Sequence, residues 1–344
     1  MDNKITKNRL SNFLAYEWIL IIIVCVALIF VWEIVYTVGA VRLTAGQKFN
    51  FYFDERVDGK TDAVYQVISN DVFSYDVITV TGEQLSGDFN VLTARLAIQE
   101  GDILFTTNKQ EYTQGEEGSN EVPTAKKVRV KEMIDDIGLY SLEQMLKDGQ
   151  DYLLQEFFVS GADYTAFNWF NQSNIDKTKV EKVFRERLKN DNRFRKESQI
   201  LDGIKLEEKR VESLYKNLID FAKVLALKDT CPELFTIYTK GEQSLAFSTD
   251  SDDINRWTSV VNAEKNNGRE NQIYAINLGA FTSSQYFDNK TKSNPSKFFT
   301  LTGSESAENI CVTVFNFKSY QPHLQYETIS FINTFIKECS TILD

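Results

Sequence analysis

The chain has 344 residues and carries 38 Lys and Arg against 49 Asp and Glu, so its formal net charge at pH 7 is −11. Nucleic-acid-binding domains concentrate positive charge, so this acidic balance argues against a phosphate backbone as the main partner. His323 is the only histidine, which nearly excludes a His-based zinc site, a Ser-His-Asp triad and a Cys-His dyad. Apart from Cys25 in a long apolar segment, the cysteines are Cys231, Cys311 and Cys339. These three are too few for a disulfide framework, although one bridge beside a free thiol stays open.

The segment from Trp18 to Val41 has the apolar length to cross a bilayer, because a hydrocarbon layer of roughly 30 Å needs about 20 mostly apolar residues. Glu33 interrupts the segment, and we expect this carboxylate to lie towards one interface or to pair with a basic group of another protein. The competing interpretation is a cleaved signal peptide, since Val38, Gly39 and Ala40 satisfy the small-residue rule before a cleavage site. We favour a retained anchor because the apolar stretch is longer than the usual signal core of about 7–15 residues.

Basic residues near the anchor predict its orientation, because short cytoplasmic flanks carry an excess of Lys and Arg. The tail of residues 1–17 holds Lys4, Lys7 and Arg9. We therefore expect a cytoplasmic N-terminus and an extracellular C-terminal domain, tethered to the cell membrane by a single pass. Arg42 and Lys48 flank the other side of the segment, so the opposite orientation stays open.

Three short strands alternate with two helices in the first part of the body. The strands are expected at 48–53, 76–80 and 102–106, with turn residues at 81–83, and the helices begin near Thr61 and Asp88. Short connections between alternating strands and helices require right-handed crossovers and a parallel sheet. This pattern predicts an α/β fold.

The chain after residue 126 is richer in helix. Residues 127–130 have a strand-like pattern, and a helix begins at Leu142. The highly charged segment 173–229 predicts a helical hairpin, with Gly203 as a candidate break, that packs on the chain's own body and keeps its charged side in water. A partner-binding coiled coil is the alternative for this segment. Further strands are expected at 234–238, 272–277 and 310–316, before a closing helix at 326–343.

The stretch from Ala94 to Phe105 has the pattern of a helix that ends in a Gly-Asp turn and leads into a short strand. Together with the preceding order of strands and helices, it resembles the opening lobe of bacterial extracytoplasmic solute-binding proteins, the receptors of ABC importers. Residues 135–146 are similar to the segment that follows in that family, and residues 272–276 resemble a later strand at the edge of the ligand cleft. The layout also resembles uncharacterised single-pass membrane proteins of Gram-positive bacteria, a likeness that implies a location only.

The resemblance implies a two-lobed α/β fold of the type 2 periplasmic-binding-protein kind, which closes around a small solute. Three features depart from the family: a transmembrane helix in place of a lipid-modified cysteine, the long hairpin, and an aromatic ligand clamp that has no clear position. The implied organisation is a cytoplasmic tail at 1–17, an anchor at 18–41, a first lobe at 42–130, a second, mostly helical lobe at 131–270 that includes the hairpin at 173–229, and returning strands with a C-terminal helix at 271–344.

A solute should bind beyond the carboxyl ends of the parallel strands. The candidate ligand-binding residues that follow the strands are Asp54, Glu55, Glu83, Thr107, Asn108 and Asn277. Trp169 and Trp257 are candidate stacking surfaces for a sugar or an organic cation. For each residue the alternative is structural, because polar residues at strand ends cap turns and helices, and tryptophans pack in the core or at its rim.

We expect neither a cofactor nor a metal, since Asp250, Asp252 and Asp253 lack the glycine and the closing glutamate of a calcium loop. The primary hypothesis is a membrane-anchored, non-catalytic solute-binding protein. Its partners are the lipid bilayer, an ABC transporter permease or another membrane protein, and a small solute. One alternative is a structural or interaction protein that keeps the scaffold without a ligand cleft. Another is a hydrolase, which needs two carboxylates facing each other at about 5–10 Å.

Overall fold

The structure is a computed structural model of the chain. It divides into two units, Met1–Arg42 and Leu43–Asp344, and each is described by itself. The described residues are 11, 18–39, 45–57, 61–68, 72–73, 75–85, 101–113, 124–160, 175–189, 191–282, 309–316, 326–339 and 343.

The first unit contains helix α1, Trp18–Gly39. Its 22 residues extend for about 33 Å at about 1.5 Å per residue. Within the described residues, its segment Trp18–Tyr36 is long and apolar enough to cross a membrane, and no part of that segment is buried. The expected N-terminal apolar helix is therefore present, and it is compatible with a membrane anchor or a signal sequence.

The second unit is built on a six-stranded sheet. Its strands, in chain order, are β1 Lys48–Phe53, β2 Thr79–Gln84, β3 Ile103–Thr107, β4 Phe235–Tyr238, β5 Gln272–Asn277 and β6 Ile310–Val314. The order across the sheet is β2-β1-β3-β6-β5-β4. Strand β1 is parallel to β2 and β3, whereas β6 is antiparallel to both β3 and β5, and β4 is antiparallel to β5. The parallel arrangement predicted for the first three strands is confirmed, and the whole sheet is mixed. The helix predicted to begin near Asp88 lies outside the described residues.

The structure does not confirm the two-lobed arrangement that the resemblance implies. Strands from the segments 42–130, 131–270 and 271–344 all join the same sheet. Residues from Leu43 to Asp344 also form one compact unit. The mixed α/β class is therefore established, whereas the division into lobes is not.

Helices cover both faces of the sheet. They are α2 Thr61–Ile68, α3 Arg129–Asp136, α4 Leu142–Phe157, α5 Lys177–Arg187, α6 Glu197–Leu225, α7 Glu242–Phe247, α8 Ser251–Asn266 and α9 Tyr326–Cys339. On one face, alternate residues of β1 and β3 pack in a core that includes α4, α6 and α9. On the other face, Tyr52 and Leu104 pack against Met133 and Ile134 of α3. Strand β1 is thus buried on both faces.

Aromatic side chains fill much of the first core. Phe53 and Phe105 stack with their ring centroids 4.6 Å apart. Phe331 and Phe335 of α9 pack against Phe105, at 6.3 and 5.7 Å. The predicted closing helix is confirmed, since its expected apolar residues Ile329, Ile332, Phe335 and Ile336 are all buried.

The strand-like interpretation of residues 127–130 is wrong. Arg129 begins α3, which continues to Asp136. Val130, Met133 and Ile134 are fully buried, and their spacing is that of one helical face. The alternation of Val128 and Val130 is compatible with a strand, but burial of this longer helical stripe decides the local structure.

The turn expected at residues 81–83 is also wrong, because these residues lie inside β2. Gly82 is paired with Phe51 of β1. A Cβ atom at residue 82 would lie 2.2 Å from the Phe51 ring. The glycine therefore makes room for an aromatic ring within a strand and does not mark a turn, so Glu83 lies in the strand and not after it.

Gly203 does not break the helical hairpin. Helix α6 runs without interruption through it for 29 residues, and the two helices of the hairpin are separated earlier, between Arg187 and Glu197. A Cβ atom at residue 203 would lie 2.3 Å from the Phe184 ring and 2.8 Å from the Phe194 ring. The prediction that the hairpin packs on the chain's own body is confirmed, because Val180 of α5 and Val211 of α6 belong to the first core.

Gly203→Ala should therefore lower the free energy of unfolding, because overpacking against two aromatic rings costs about 1–3 kcal/mol and outweighs the gain of about 1 kcal/mol in helix propensity. Gly149→Ala in α4 is the matched control. Its Cβ would meet the end of the flexible Leu218 side chain, at 2.9 Å, and a gain of about 1 kcal/mol in helix propensity offsets the contact. Denaturant unfolding of the full chain in detergent micelles measures both. Equal stabilities of the two variants would contradict the ring contact as the reason for Gly203.

Candidate functional site

The strand order creates a switch point at the carboxyl edge of the sheet. From β1 the chain passes to β2 on one side and then to β3 on the other side of β1. In open α/β sheets, ligands bind outside the carboxyl ends of the strands where the order reverses in this way. Because β5 runs in the same direction as β1 and β3, the ends of these strands lie along one edge. Asp54, Thr107, Asn108 and Asn277 are therefore brought to the edge where they were predicted.

The Asp54 side chain is buried at this edge and is hydrogen-bonded to other protein groups. It is 1% exposed, and its Oδ2 accepts a hydrogen bond from Thr106 Oγ1 at 2.9 Å. The Arg129 guanidinium donates to both carboxylate oxygens, from Nε at 2.9 Å and from Nη2 at 3.2 Å. Such a two-point pair is strong and directional. It fixes the start of α3 against the end of β1.

Two more carboxylates surround the Arg129 guanidinium. Glu132 accepts a hydrogen bond from its Nη1 at 3.0 Å, and Glu55 lies 3.6 Å from its Nη2. Burial opposes the charged guanidinium, but the hydrogen bonds and charge of Asp54 outweigh burial and raise the pKa of Arg129 above its ordinary value. The group remains a cation. Arg129 was not among the candidate residues because its segment was interpreted as a strand.

The other predicted ligand-binding residues differ in their exposure and in the hydrogen bonds that they already make. Glu55 is exposed and Asn108 is half-buried. Thr107 accepts a hydrogen bond from the backbone N–H of Lys109 at 3.1 Å. Asn277 accepts one from Thr236 Oγ1 and donates one to the backbone oxygen of Glu233, both at 2.9 Å. Thr107 and Asn277 thus have structural bonds of the kind considered as the alternative.

The expected tryptophans do not join this edge in the described part of the chain. Trp169 lies outside the described residues. Trp257 is on α8, beside Gly241, which follows β4 where that strand pairs with the start of β5. Its ring is 4.9 Å from the Arg256 guanidinium carbon. Trp257 is therefore placed at the opposite edge of the sheet.

A pocket of 550 Å³ lies where α5 turns into α6. Asp191 in its lining accepts a hydrogen bond from Gln47 Nε2 at 2.8 Å. Gln47 immediately precedes β1, so the pocket is at the amino edge of the sheet, away from the switch point. Its apolar lining consists of Phe184, Leu188, Phe194 and Ile200, and cationic side chains of Arg185, Lys189 and Arg195 stand around them.

A network of buried charges holds the elements behind this pocket. Glu207 of α6, fully buried, accepts hydrogen bonds from Arg187 at 2.6 Å and from Arg210 at 3.2 Å. Arg187, the last residue of α5, also donates to Asp76 before β2. Arg210 lies 3.4 Å from Glu327 of α9. The expectation that the hairpin keeps its charged side in water is wrong at these positions.

The charge state of the network follows from its contacts. Burial alone would raise the pKa of Glu207, but the guanidinium groups of Arg210 and Arg187 outweigh burial and lower it. Burial raises the pKa of the neighbouring Tyr75 above its usual range, and the Glu207 charge adds to this effect. Tyr75 therefore stays neutral, and its hydroxyl donates a hydrogen bond to Glu207 Oε2, at 2.5 Å.

No protein-family model, no curated protein and no solved structure matches the chain. Among the described residues, no group of three or more His, Cys, Asp and Glu side chains is arranged to hold a metal ion. The described thiols of Cys25, Cys231 and Cys311 form no disulfide bond.

Asp54→Asn should lower the free energy of unfolding by about 3–5 kcal/mol, because it leaves the buried Arg129 without its closest counter-charge. Glu55→Gln is the matched control at the next residue. It removes an exposed charge 3.6 Å from the same guanidinium, which is worth less than about 1 kcal/mol. Denaturant unfolding of the two variants side by side tests this difference. Similar losses would mean that Asp54 does not hold Arg129 as described.

Glu207→Gln should cost about 3–5 kcal/mol for the same reason, with Glu208→Gln as the control. Glu208 makes a surface pair with Lys177 at 3.7 Å, worth about 0–1 kcal/mol. Because folding lowers the pKa of Glu207, its contribution is full above the unfolded pKa and is lost as pH falls through the folded pKa. Unfolding measured from neutral to acidic pH should show a weaker acid dependence in Glu207→Gln than in the parent. An unchanged dependence would contradict this role of Glu207.

Proposed function

We propose that the protein is a membrane-anchored, non-catalytic binding protein that takes a small polar solute at the carboxyl edge between β1 and β3. In this proposal α1 is a retained anchor, the body is extracytoplasmic, and an ABC transporter permease or another membrane protein receives the bound state. The observation that carries the proposal is the β2-β1-β3 order. This order supports the proposal, because ligands of open α/β sheets bind at the point where the strand order reverses.

The residues at this edge divide into two roles within the proposal. Asp54 and Arg129 are buried and bonded to each other, so they stiffen the edge. Glu55 and Asn108 are more exposed and are the groups that contact the solute. A rigid pair behind exposed polar groups is the arrangement that holds a binding site in place.

The proposal retains the ligand position that the family resemblance implies, at the carboxyl edge of the sheet. It does not retain the hinge motion of that family. Lobe closure requires two bodies that move about a connection. Residues Leu43–Asp344 form one compact unit, so binding here relies on a preformed edge. A segment that closes over the solute is not needed.

A structural or interaction protein is the second candidate function. It is favoured by the hydrogen bonds of Asp54 and Asn277, which join protein groups to each other at the edge that a ligand would occupy. A scaffold with this edge closed would hold a partner through another surface. The two candidates differ in whether a small solute stabilises the protein.

The test is thermal unfolding of the full chain in detergent micelles with sugars, amino acids, short peptides, nucleosides and metal ions. A solute at a hundred times its dissociation constant adds about 2.7 kcal/mol to the free energy of unfolding. Glu55→Gln and Asn108→Ala should lose most of that shift. Glu242→Gln is the control, because it removes an exposed carboxylate from α7, which begins beyond the end of β4 at the amino edge.

A shift that depends on Glu55 and Asn108 supports the solute site and names its chemical class. No shift across the panel contradicts the proposal and favours the interaction protein. A shift that persists in both variants also contradicts it, because the solute would then bind at another place.

A further inference from the structure

The segment that lines the amino-edge pocket has a charge opposite to that of the protein. Residues 177–196 contain nine Lys and Arg against three Asp and Glu, a net charge of +6. The rest of the chain has 29 basic and 46 acidic residues, a net charge of −17. This basic cluster is therefore local, and at physiological salt the field of distant acidic groups is screened over about 8 Å.

Part of this positive charge is already used inside the protein. Arg187 is bound to Asp76 and Glu207, and Arg193 is bound to Asp191. The three cations that line the pocket are different, because all of them are exposed. They are the charges that a ligand from solution can reach.

The pocket cations also have weak competitors. Arg185 pairs with Glu181 and Glu197, each at 2.8 Å, but exposed pairs of this kind are worth only about 0–1 kcal/mol. Arg195 donates to the Asn192 side-chain oxygen. Within the described residues, no ion pair joins Lys189 or Arg195 to a carboxylate. An incoming anion therefore displaces little.

Apolar side chains form the floor of the same pocket. Phe184 and Phe194 meet edge to face with their centroids 5.1 Å apart, and Leu188 and Ile200 complete the apolar lining. The volume of 550 Å³ is within the range of about 300–1,000 Å³ typical of small-molecule sites. An apolar floor under a cationic rim fits a ligand with an apolar body and an anionic end.

We propose that this pocket, formed by the end of α5, the turn at Asn192–Phe194 and the start of α6, is a binding site for a small organic anion. The ligand places a carboxylate or phosphate against Lys189 and Arg195, and its apolar body packs on Phe194 and Ile200. This site is separate from the carboxyl-edge solute site. It stands or falls independently of that proposal.

Calorimetric titration of the full chain in uncharged detergent micelles tests the inference. Phenyl phosphate is the probe, and benzyl alcohol and benzylamine offer a similar apolar body with no charge or a positive charge. Phenyl phosphate should bind, should bind less tightly as salt is raised, and should be preferred over both analogues. Equal binding of the three compounds, or no binding of phenyl phosphate, overturns the proposal.

Matched double variants locate the binding. Lys189→Gln with Arg195→Gln should weaken phenyl phosphate binding about tenfold, as expected for the loss of charged contacts at a partly exposed site. Lys182→Gln with Lys209→Gln removes the same charge from exposed positions outside the pocket lining and should leave the affinity unchanged. Equal weakening in both variants overturns the proposal, because it would show a general charge effect. All four substituted side chains are exposed, so the fold should persist.

The anionic group that binds the pocket can belong to a free solute or to a lipid headgroup. A second experiment distinguishes these two possibilities. Phenyl phosphate binding is compared in phosphatidylcholine nanodiscs with and without phosphatidylglycerol. Competition by the anionic lipid that disappears in Lys189→Gln with Arg195→Gln identifies headgroup phosphate as the source. Unchanged binding identifies a free organic anion. Competition that persists in that variant overturns the pocket as the site.

Discussion

The Glu207 carboxylate is the point on which the packing of the helical layer depends. It is fully buried and bound by Arg187 of α5 and by Arg210 of its own helix. Through these two cations it reaches Asp76 before β2 and Glu327 of α9. A buried charge is costly unless its partners are in place. A register shift of α5, α6 or α9 would therefore separate opposite charges in the interior. The shifted arrangements would be less stable than the native one.

The pair of Asp54 and Arg129 imposes the same constraint at the other edge of the sheet. It binds the start of α3 to the end of β1, as the Glu207 network binds the hairpin near the start of β1 and β2. The most buried polar groups are thus structural at both edges. Both proposals therefore assign ligand contacts to less buried neighbours, Glu55 and Asn108 at one edge and the pocket cations at the other. This division explains why a strongly bonded residue is a poor ligand candidate even at a favourable position.

Local patterns in the sequence predicted the helices and strands that bury apolar residues along their whole length. Strand β1 and helix α9 were found because their apolar residues recur at the period of their own secondary structure. Gly82 and Gly203 were misinterpreted because the side chain that requires a glycine comes from another element. Gly82 accommodates the Phe51 ring, and Gly203 accommodates the Phe184 ring. The partners of Arg129 and Glu207 that lie in other elements, such as Asp54 and Arg187, were likewise not predictable from local patterns. Asp54 and Arg129 are separated by 75 positions, and no periodicity links residues at that distance.

The acidic composition and the basic pocket lead to one consistent expectation about anions. A nucleic acid carries one negative charge per about 1.7 Å of duplex and extends over many screening lengths of about 8 Å. Beyond the +6 segment it would meet the rest of the chain, whose net charge is −17, and each further phosphate would be repelled. A small organic anion stays within the field of Lys189 and Arg195. If the pocket binds anions as proposed, the charge pattern should discriminate by size, because the same electrostatics that favour a compact anion disfavour a polyanion.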